Sequence, residues 1–387
     1  MTGIDDDDFA LALSAVTRFA RDRLIPAEAQ VERDDEIPDA IVQEMREMGL
    51  FGLSIPEAYG GLGVNTLQES QLIEALCYAS VAFRSLIGTN VGIGSQGIVM
   101  DGTDAQKAAW LPRLATGEVI ASFALTEPDH GSDAAHIRTS ARRDGDDFVI
   151  NGAKRYITNA VRAGVFTLFA RTNPDDDGSG GVSAFLLPAG TPGIHIATPD
   201  RKMGQRGSKT SDVILEDVRL PISAIIGGPG NLHKGFRTAM KVLDRGRVHV
   251  SSIAVGTAQR MLDVALDYAM QRHQFGVPIA EHQLVQGLLA DCQADLAAGR
   301  ALVRATAAKY DVEGRAVLEA SCAKYFCTEM AGRVADKAVQ IHGGAGYMAD
   351  QPIERLYRDV RLLRIYEGTS QIQQLIIARN LIKGYGA

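Results

Sequence analysis

A change of period constrains this fold more than any other feature of the chain. From about residue 9 to residue 120, apolar residues recur every three to four positions: Leu11, Ala15, Phe19 and Ala20 share one predicted face, and Leu72, Ile73, Leu76 and Ala79 another. That spacing belongs to amphipathic helices. The cluster Ser54 to Gly63, carrying Pro56, Gly60, Gly61 and Gly63, reads as a turn between helical segments. Near Ile120 the pattern becomes short β-rich runs: Phe148-Val149-Ile150, Val165 to Phe169, Val182 to Leu187 and Val213-Ile214-Leu215. Gly, Asp, Asn and Pro punctuate them, as in the polar loop Asp175 to Gly181, which predicts a compact barrel or sandwich rather than a parallel sheet. From about Leu232 the helical period returns, with Ala258, Met261, Leu262, Ala265 and Tyr268 on one face and Val285, Leu288, Leu289, Cys292 and Leu296 on another. The class expected is α+β, mainly α, in three units: residues 1–120, 121–231 and 232–387.

Composition narrows the function classes. A length of 387 residues suits roughly two to three domains. The formal net charge of −7 gives no basic footprint, so no nucleic-acid partner is expected. No apolar run reaches membrane-spanning length, and the acidic start Met1 to Asp8 has the wrong sign for a secretory or mitochondrial leader. The expected location is cytoplasmic. Cys77, Cys292, Cys322 and Cys327 lack metal-type spacing and read as free thiols in a reducing compartment. The histidines form no His-Glu-x-x-His arrangement, so no metal is expected. Gly92-Ile93-Gly94-Ser95-Gln96-Gly97 fits G-x-G-x-x-G, but a dinucleotide fingerprint needs a strand before it and a βαβ unit around it. This copy sits in a helical region and reads as a place where small residues let helices approach.

The candidate chemistry centres on Tyr366-Glu367-Gly368-Thr369-Ser370-Gln371-Ile372-Gln373. Apolar residues lead into it (Leu362, Leu363, Ile365) and out of it (Leu375, Ile376, Ile377). A carboxylate bounded this way is costly to desolvate when ionised, so its pKa should rise towards neutrality, where a general base works best. A lone glutamate read in isolation would be a solvated loop residue beside a helix capped by Thr369 or Ser370. Four further segments argue otherwise: Phe123-Ala124-Leu125-Thr126-Glu127-Pro128-Asp129-His130-Gly131-Ser132-Asp133, Tyr156-Ile157-Thr158-Asn159, Arg272-His273-Gln274-Phe275-Gly276, and Gln340-Ile341-His342-Gly343-Gly344-Ala345-Gly346-Tyr347. Taken together, in this order and at these intervals, the motifs resemble those of the acyl-CoA dehydrogenase family, from about Phe9 to about Ile382.

The resemblance implies two α-helical domains, the second like a four-helix bundle, flanking a small β-barrel. It implies FAD as cofactor and α,β-desaturation of an acyl-CoA to a trans-2-enoyl-CoA. Glu367 matches the glutamate that takes the pro-R α-proton while flavin N5 accepts the β-hydride. Tyr366 and Gly368 would flank the acyl chain. Phe123, Leu125, Thr126, Gly131 and Ser132 match the loop lining the flavin, with Ser132 also reaching phosphate or substrate. Tyr156, Ile157 and Thr158 match the family's Trp-Ile-Thr, the smaller aromatic at Tyr156 being a departure. Arg272, Gln274, Phe275, Gln283, Gln340, Gly343 and Gly344 match residues that reach FAD from a neighbouring subunit, with Thr369 and Gln371 beside the base. The implied assembly is a homo-oligomer, a dimer of dimers, with an electron-transferring flavoprotein as electron acceptor. Asp244 and Arg247 match positions contacting CoA, or else form an i, i+3 ion pair on their helix. Some relatives carry the base on another helix, at the position matching Gly246 or its neighbour; Gly246 cannot serve here.

Arg84, in Ala82-Phe83-Arg84-Ser85, admits two readings. One is a surface arginine beginning a helix. The other is the arginine with which glutaryl-CoA dehydrogenases and sulfinopropionyl-CoA desulfinases bind an acidic acyl tail, although Cys77 replaces an acidic neighbour of the glutaryl enzymes. A desulfinase-type lyase lacks the catalytic glutamate, and a non-catalytic flavoprotein scaffold should show an eroded base or flavin loop; this chain keeps both.

Overall fold

A computed structural model of the protein describes residues 3–385; Met1 and Thr2, at the head of the acidic start, lie outside them. That start caps the first helix. Asp5 accepts a hydrogen bond from the Asp8 N–H at 2.9 Å, and Asp6 to Asp8 occupy the first turn of α1 (Asp6–Phe19), where the helix dipole favours negative charge. The face of α1 that enters the core is set by Ala12, Val16, Phe19 and Ala20. Leu11, expected on that face, is 70% exposed. The stripe starts at Phe9 rather than Leu11, one position in two being enough to rotate the predicted face.

Further helices follow: α2 (Ile25–Asp34), α3 (Asp39–Glu47), α4 (Thr66–Leu76), α5 (Val81–Gly88), α6 (Gln96–Asp101) and α7 (Asp104–Ala115). Capping boxes start α4 (Asn65 with Gln68) and α7 (Thr103 with Gln106). Leu72, Ile73, Leu76 and Ala79 are buried, as their spacing predicts. The glycine-rich segment is a helical turn, Thr89–Gly94, running into α6. A Cβ on Gly94 would lie 2.6 Å from the Cβ of Ala121, so this glycine serves close packing against the sheet.

The strands are β1 (Ile120–Ala124), β2 (Ser140–Asp144), β3 (Asp147–Thr158), β4 (Ala163–Arg171), β5 (Val182–Pro188), β6 (Ile194–Ile196) and β7 (Thr210–Pro221). They curl into a half-barrel in the order β1-β4-β2-β3-β7-β6, with β5 paired to β4. The four runs expected as strands fall in β3, β4, β5 and β7. The short β1 pairs with β4 in parallel, so the sheet is mixed. Register shifts between Ile150 and Gly152 and between Lys154 and Ile157 bend β3, as bulges do.

The remaining helices are α8 (Gly235–Gln271), α9 (Gln283–Glu313), α10 (Val317–His342), α11 (Pro352–Arg361) and α12 (Ser370–Gly384), with a small hairpin, β8 (His273–Gln274) and β9 (Val277–Pro278), between α8 and α9. At 37 residues, α8 extends about 55 Å at about 1.5 Å per residue. One continuous core joins Leu72, Ile73 and Leu76 of the early helices to Val250, Ile253 and Met261 of α8 and to Cys327 and Met330 of α10. The half-barrel keeps its own core around Phe148, Phe166 and Phe185. The site forms where these two cores meet. All four cysteines are free, three of them buried. Among the described residues no helix is long and apolar enough to cross a membrane, and no cluster of His, Cys, Asp or Glu has metal-site geometry.

Candidate active site

The turn between α11 and α12 carries the candidate base. Glu367 has φ 53° and Gly368 φ 87°, two successive left-handed residues. For the glutamate this costs roughly 1–2 kcal/mol. Side chains hold the turn in place. Lys324 of α10 donates to the Gly368 carbonyl at 2.7 Å, and Gln373 of α12 donates to the carbonyls of both Glu367 and Gly368 at 3.1 Å. Thr369 caps α12 by accepting from the Ile372 N–H at 3.3 Å. With its backbone fixed, Glu367 directs its carboxylate inward, and Oε2 is buried with no hydrogen-bond partner among the described residues. Burial pushes its pKa above the ordinary value of 4.5, while Arg84, Lys324 and Arg247 oppose the rise. A carboxyl group held this way, with its pKa moved towards neutrality, has the properties a general base needs.

Glu367 faces a cavity of about 730 Å³. Tyr366 and Gly368 flank it, and Thr126, Ser132, Tyr156 and Thr158 stand on the half-barrel wall. The hydroxyls of Thr126, Ser132 and Thr158 make no protein hydrogen bond among the described residues. Phe123, Leu125, Gly131 and Ile157 complete that wall. Behind it lies a buried ion pair. Lys154 of β3 donates to Glu127 at 2.7 Å and to the Leu125 carbonyl at 3.1 Å. Glu127 also accepts from the N–H groups of Arg138 at 2.6 Å and Thr139 at 2.8 Å, which closes the loop after β1. Tyr156 sits in the β3 bulge with φ 57°; its ring is 59% exposed, and the Arg155 guanidinium lies 4.9 Å from its centroid. An aromatic side chain and free hydroxyls on one wall of a cavity this size fit a planar heteroaromatic ring such as a flavin.

Arg84 is 6% exposed on α5, so the surface reading is overturned: α5 is buried throughout because it runs beneath the cavity. Its Nε donates to Nε2 of His249 at 2.8 Å. Burial, followed by the Arg84 charge, pushes His249 down to about 4, so the ring is neutral and its Nε2 can accept. Nδ1 of His249 lies 3.4 Å from Glu69, which pairs with Arg245 at 2.5 Å.

Several expected residues lie elsewhere in the single chain. Arg272, Gln274 and Phe275 sit on the exposed β8–β9 hairpin, Phe275 at 94% exposure. Gln283 begins α9, and Gln340, Gly343 and Gly344 close α10, all on the exterior. Thr369 serves as a cap, and Gln371 points outward on α12. Asp244 and Arg247 form the i, i+3 pair, and only Arg247 reaches the cavity. Conversely, Phe236, Met240 and Leu243 line the cavity with Arg247. Their spacing of four, three and four residues marks one face of α8, a readable stripe that by itself cannot distinguish cavity from core. Lys324 was also missed; its signal was a lysine inside the apolar run Cys322 to Cys327.

Known proteins match the chain along nearly its whole length. Residues 6–118 match the acyl-CoA dehydrogenase N-terminal domain, 122–218 the middle domain and 233–382 the C-terminal domain. The probable acyl-CoA dehydrogenase YngJ of Bacillus subtilis (strain 168) is 41% identical over 368 residues, covering 95% of this chain and 96% of its own. Butyryl-CoA dehydrogenase from Megasphaera elsdenii superposes with a TM-score of 0.93 at 32% identity, over 99% of this chain and 100% of that one. Glutaryl-CoA dehydrogenase from Mycobacterium smegmatis gives a TM-score of 0.90 at 32% identity, over 98% and 95%. The chain belongs to the acyl-CoA dehydrogenase family, FAD-dependent oxidoreductases acting on the CH–CH group of acyl-CoA.

Proposed function

We propose that this protein desaturates an acyl-CoA thioester between Cα and Cβ, with Glu367 as the base. The observation that carries the reading is the unpartnered Oε2 of Glu367 facing a cavity whose opposite wall offers free hydroxyls. The thioester would lie between the two, its α-proton towards Glu367. The Glu367 N–H, in a turn pinned by Lys324 and Gln373, is positioned to polarise the thioester carbonyl. Bound FAD supplies the two-electron acceptor for the hydride leaving Cβ. Thr126, Ser132 and Thr158 would hold its ring edge, and Tyr156 would lie against a face. The apolar stripe of α8 would exclude water, and Arg247, held by Asp244, would meet the CoA moiety.

Residues 1–120, 121–231 and 232–387 act as three units on this reading. Arg272, Gln274, Phe275, Gln283, Gln340, Gly343 and Gly344 would complete the cofactor site of a second subunit, in a homotetramer built as a dimer of dimers, with Thr369 and Gln371 meeting the cofactor beside the base. The exposure of Phe275 (94%), Leu284 (87%) and Tyr347 (82%) supports a covered face there. An electron-transferring flavoprotein would reoxidise the enzyme, in β-oxidation or a related fatty-acid pathway in the cytoplasm.

One observation favours a narrower substrate. Arg84 lines the cavity, and its terminal nitrogens make no protein hydrogen bond among the described residues. A wholly aliphatic tail would leave that charge without a compensating partner beyond Glu367. A dicarboxylyl-CoA, glutaryl-like, would pair with it.

The test is anaerobic addition of butyryl-, octanoyl-, isovaleryl- and glutaryl-CoA to the yellow enzyme. Bleaching identifies the substrate. Glu367→Gln should keep its flavin and bind the thioester without bleaching; a variant that reduces at a near-normal rate removes Glu367 from the mechanism.

A further inference from the structure

A lysine with no surface at all stands behind the catalytic turn. Lys324 is the eighth residue of α10 and is 0% exposed. A buried ammonium costs several kcal/mol unless it is compensated. Its hydrogen bond is to the Gly368 carbonyl at 2.7 Å, the residue directly after the candidate base. It shares this turn with Gln373, also 0% exposed, which holds the Glu367 and Gly368 carbonyls from the other side. Two left-handed residues in a row would relax readily to other conformations if their carbonyls were free. Lys324 and Gln373 between them pin both.

We propose that Lys324 is a positioning residue for the base: its ammonium fixes the Glu367–Gly368 turn through the Gly368 carbonyl and holds a positive charge behind the carboxylate.

The groups facing Glu367 come from three helices: Arg84 on α5, Arg247 on α8 and Lys324 on α10, with Tyr366 beside it. Arg84 is turned towards His249, and Arg247 is paired with Asp244. Lys324 has Glu329 one turn along its own helix, but Glu329 is engaged by Ser370 at 2.5 Å and Arg364 at 3.4 Å. Lys324 is therefore the cation of the three with the fewest competing partners. Burial, opposed by Glu367, brings Lys324 itself down to about 8, so it carries its charge at neutral pH.

The inference rests on Glu367 being the base, and its experiment separates the two claims. Single-turnover flavin reduction would be followed against pH, using whichever of butyryl-, octanoyl- or glutaryl-CoA bleaches the native enzyme fastest. Lys324→Met removes both donor and charge, Lys324→Gln keeps a donor without charge, and Lys324→Arg keeps the charge. Removing a cation beside a carboxylate raises its pKa, so the rise of rate with pH should move up by about one pH unit in the Met and Gln variants and return in the Arg variant. The Met variant should in addition lose about tenfold in its limiting rate, because the turn is released. Should Lys324→Met fail to fold, Lys324→Gln carries the test alone. Profiles of the Met and Gln variants that overlay the native one overturn the proposal while Glu367→Gln stays inactive. An active Glu367→Gln instead overturns the assignment of the base.

Discussion

A Cβ on Gly246 would stand 2.3 Å from Oε2 of Glu367. The two residues come from different elements, the first third of α8 and the turn before α12, and the carboxylate occupies the space that a side chain at 246 would fill. A side chain at 246 and the Glu367 carboxylate in this position exclude one another sterically. Glycine inside a long helix costs about 1 kcal/mol relative to alanine. Gly246→Ala should therefore leave the melting temperature unchanged or raise it, because a flexible carboxylate end yields easily. The same displacement should lower flavin reduction at least about tenfold, since a shift of an ångström in a catalytic group has that effect. Thermal unfolding and anaerobic stopped-flow on one preparation check both halves; a variant with native rates removes the steric argument.

Glu367 should also destabilise the fold that holds it. Glu367 has its pKa raised in the folded state above the ordinary 4.5, chiefly by burial. A carboxyl raised in this way binds its proton more tightly folded than unfolded. Its contribution is intact below about pH 4.5 and is lost as pH rises through the folded value. Glu367→Gln should therefore be more stable than the native protein at pH 7, a tenfold difference in proton affinity between the folded and unfolded chains being worth about 1.4 kcal/mol. The difference should shrink as pH falls towards 4.5. Urea unfolding at pH 7 and pH 5 measures it. Equal stability at both would show the carboxylate to be solvated.

The wall opposite the base depends on Lys154 and Glu127, 0% and 5% exposed in their side chains. Burial brings Lys154 down to about 8 even with Glu127 beside it. For Glu127 burial acts upward, but Lys154 and the N–H groups of Arg138 and Thr139 bring it below the usual carboxylate range. Removing one partner strands the other. Lys154→Met should cost about 3 kcal/mol and release flavin on dilution, whereas a double variant with Glu127→Leu should recover part of the stability. Denaturation midpoints and flavin fluorescence report the two effects. A Lys154→Met protein as stable as the native one would make the pair incidental.

What the chain disclosed about itself follows the range of the forces involved. Tyr366 to Gln373 and Phe123 to Asp133 are local strings whose chemistry is carried by neighbours in sequence, and both segments line one cavity as expected. The three blocks were legible because period is local too. The β1–β4 parallel pair was not, because a run of five residues joins a partner some forty residues later. Nor could spacing disclose that Arg84 meets His249 across 165 residues, or that Lys324 reaches Gly368 across 44. Burial of a charged side chain is decided by whichever helices close over it, so the sequence left Arg84 between two readings and passed over Lys324. Leu11 failed differently: the period was right and the phase was wrong.

Arg84 offers the sharpest test of substrate. Its Nε is engaged by a histidine that stays neutral, since burial and Arg84 itself push His249 down to about 4. The guanidinium fork is thereby oriented without being neutralised, and its remaining nitrogens suit a carboxylate in paired geometry. If the acyl tail ends in a carboxylate, Arg84→Met should lower kcat/KM for glutaryl-CoA about 100-fold, the loss of a charge-assisted pair in a desolvated site. Butyryl-CoA turnover should change less than about threefold, after allowance for the upward move of the Glu367 pKa, because Arg84 also helps to keep that carboxyl ionised. Measuring both substrates on the plateau of each protein's pH profile, where the rate no longer rises with pH, isolates the tail contribution. An equal loss on both chains would assign Arg84 to the base alone, and the acidic-tail reading would fall.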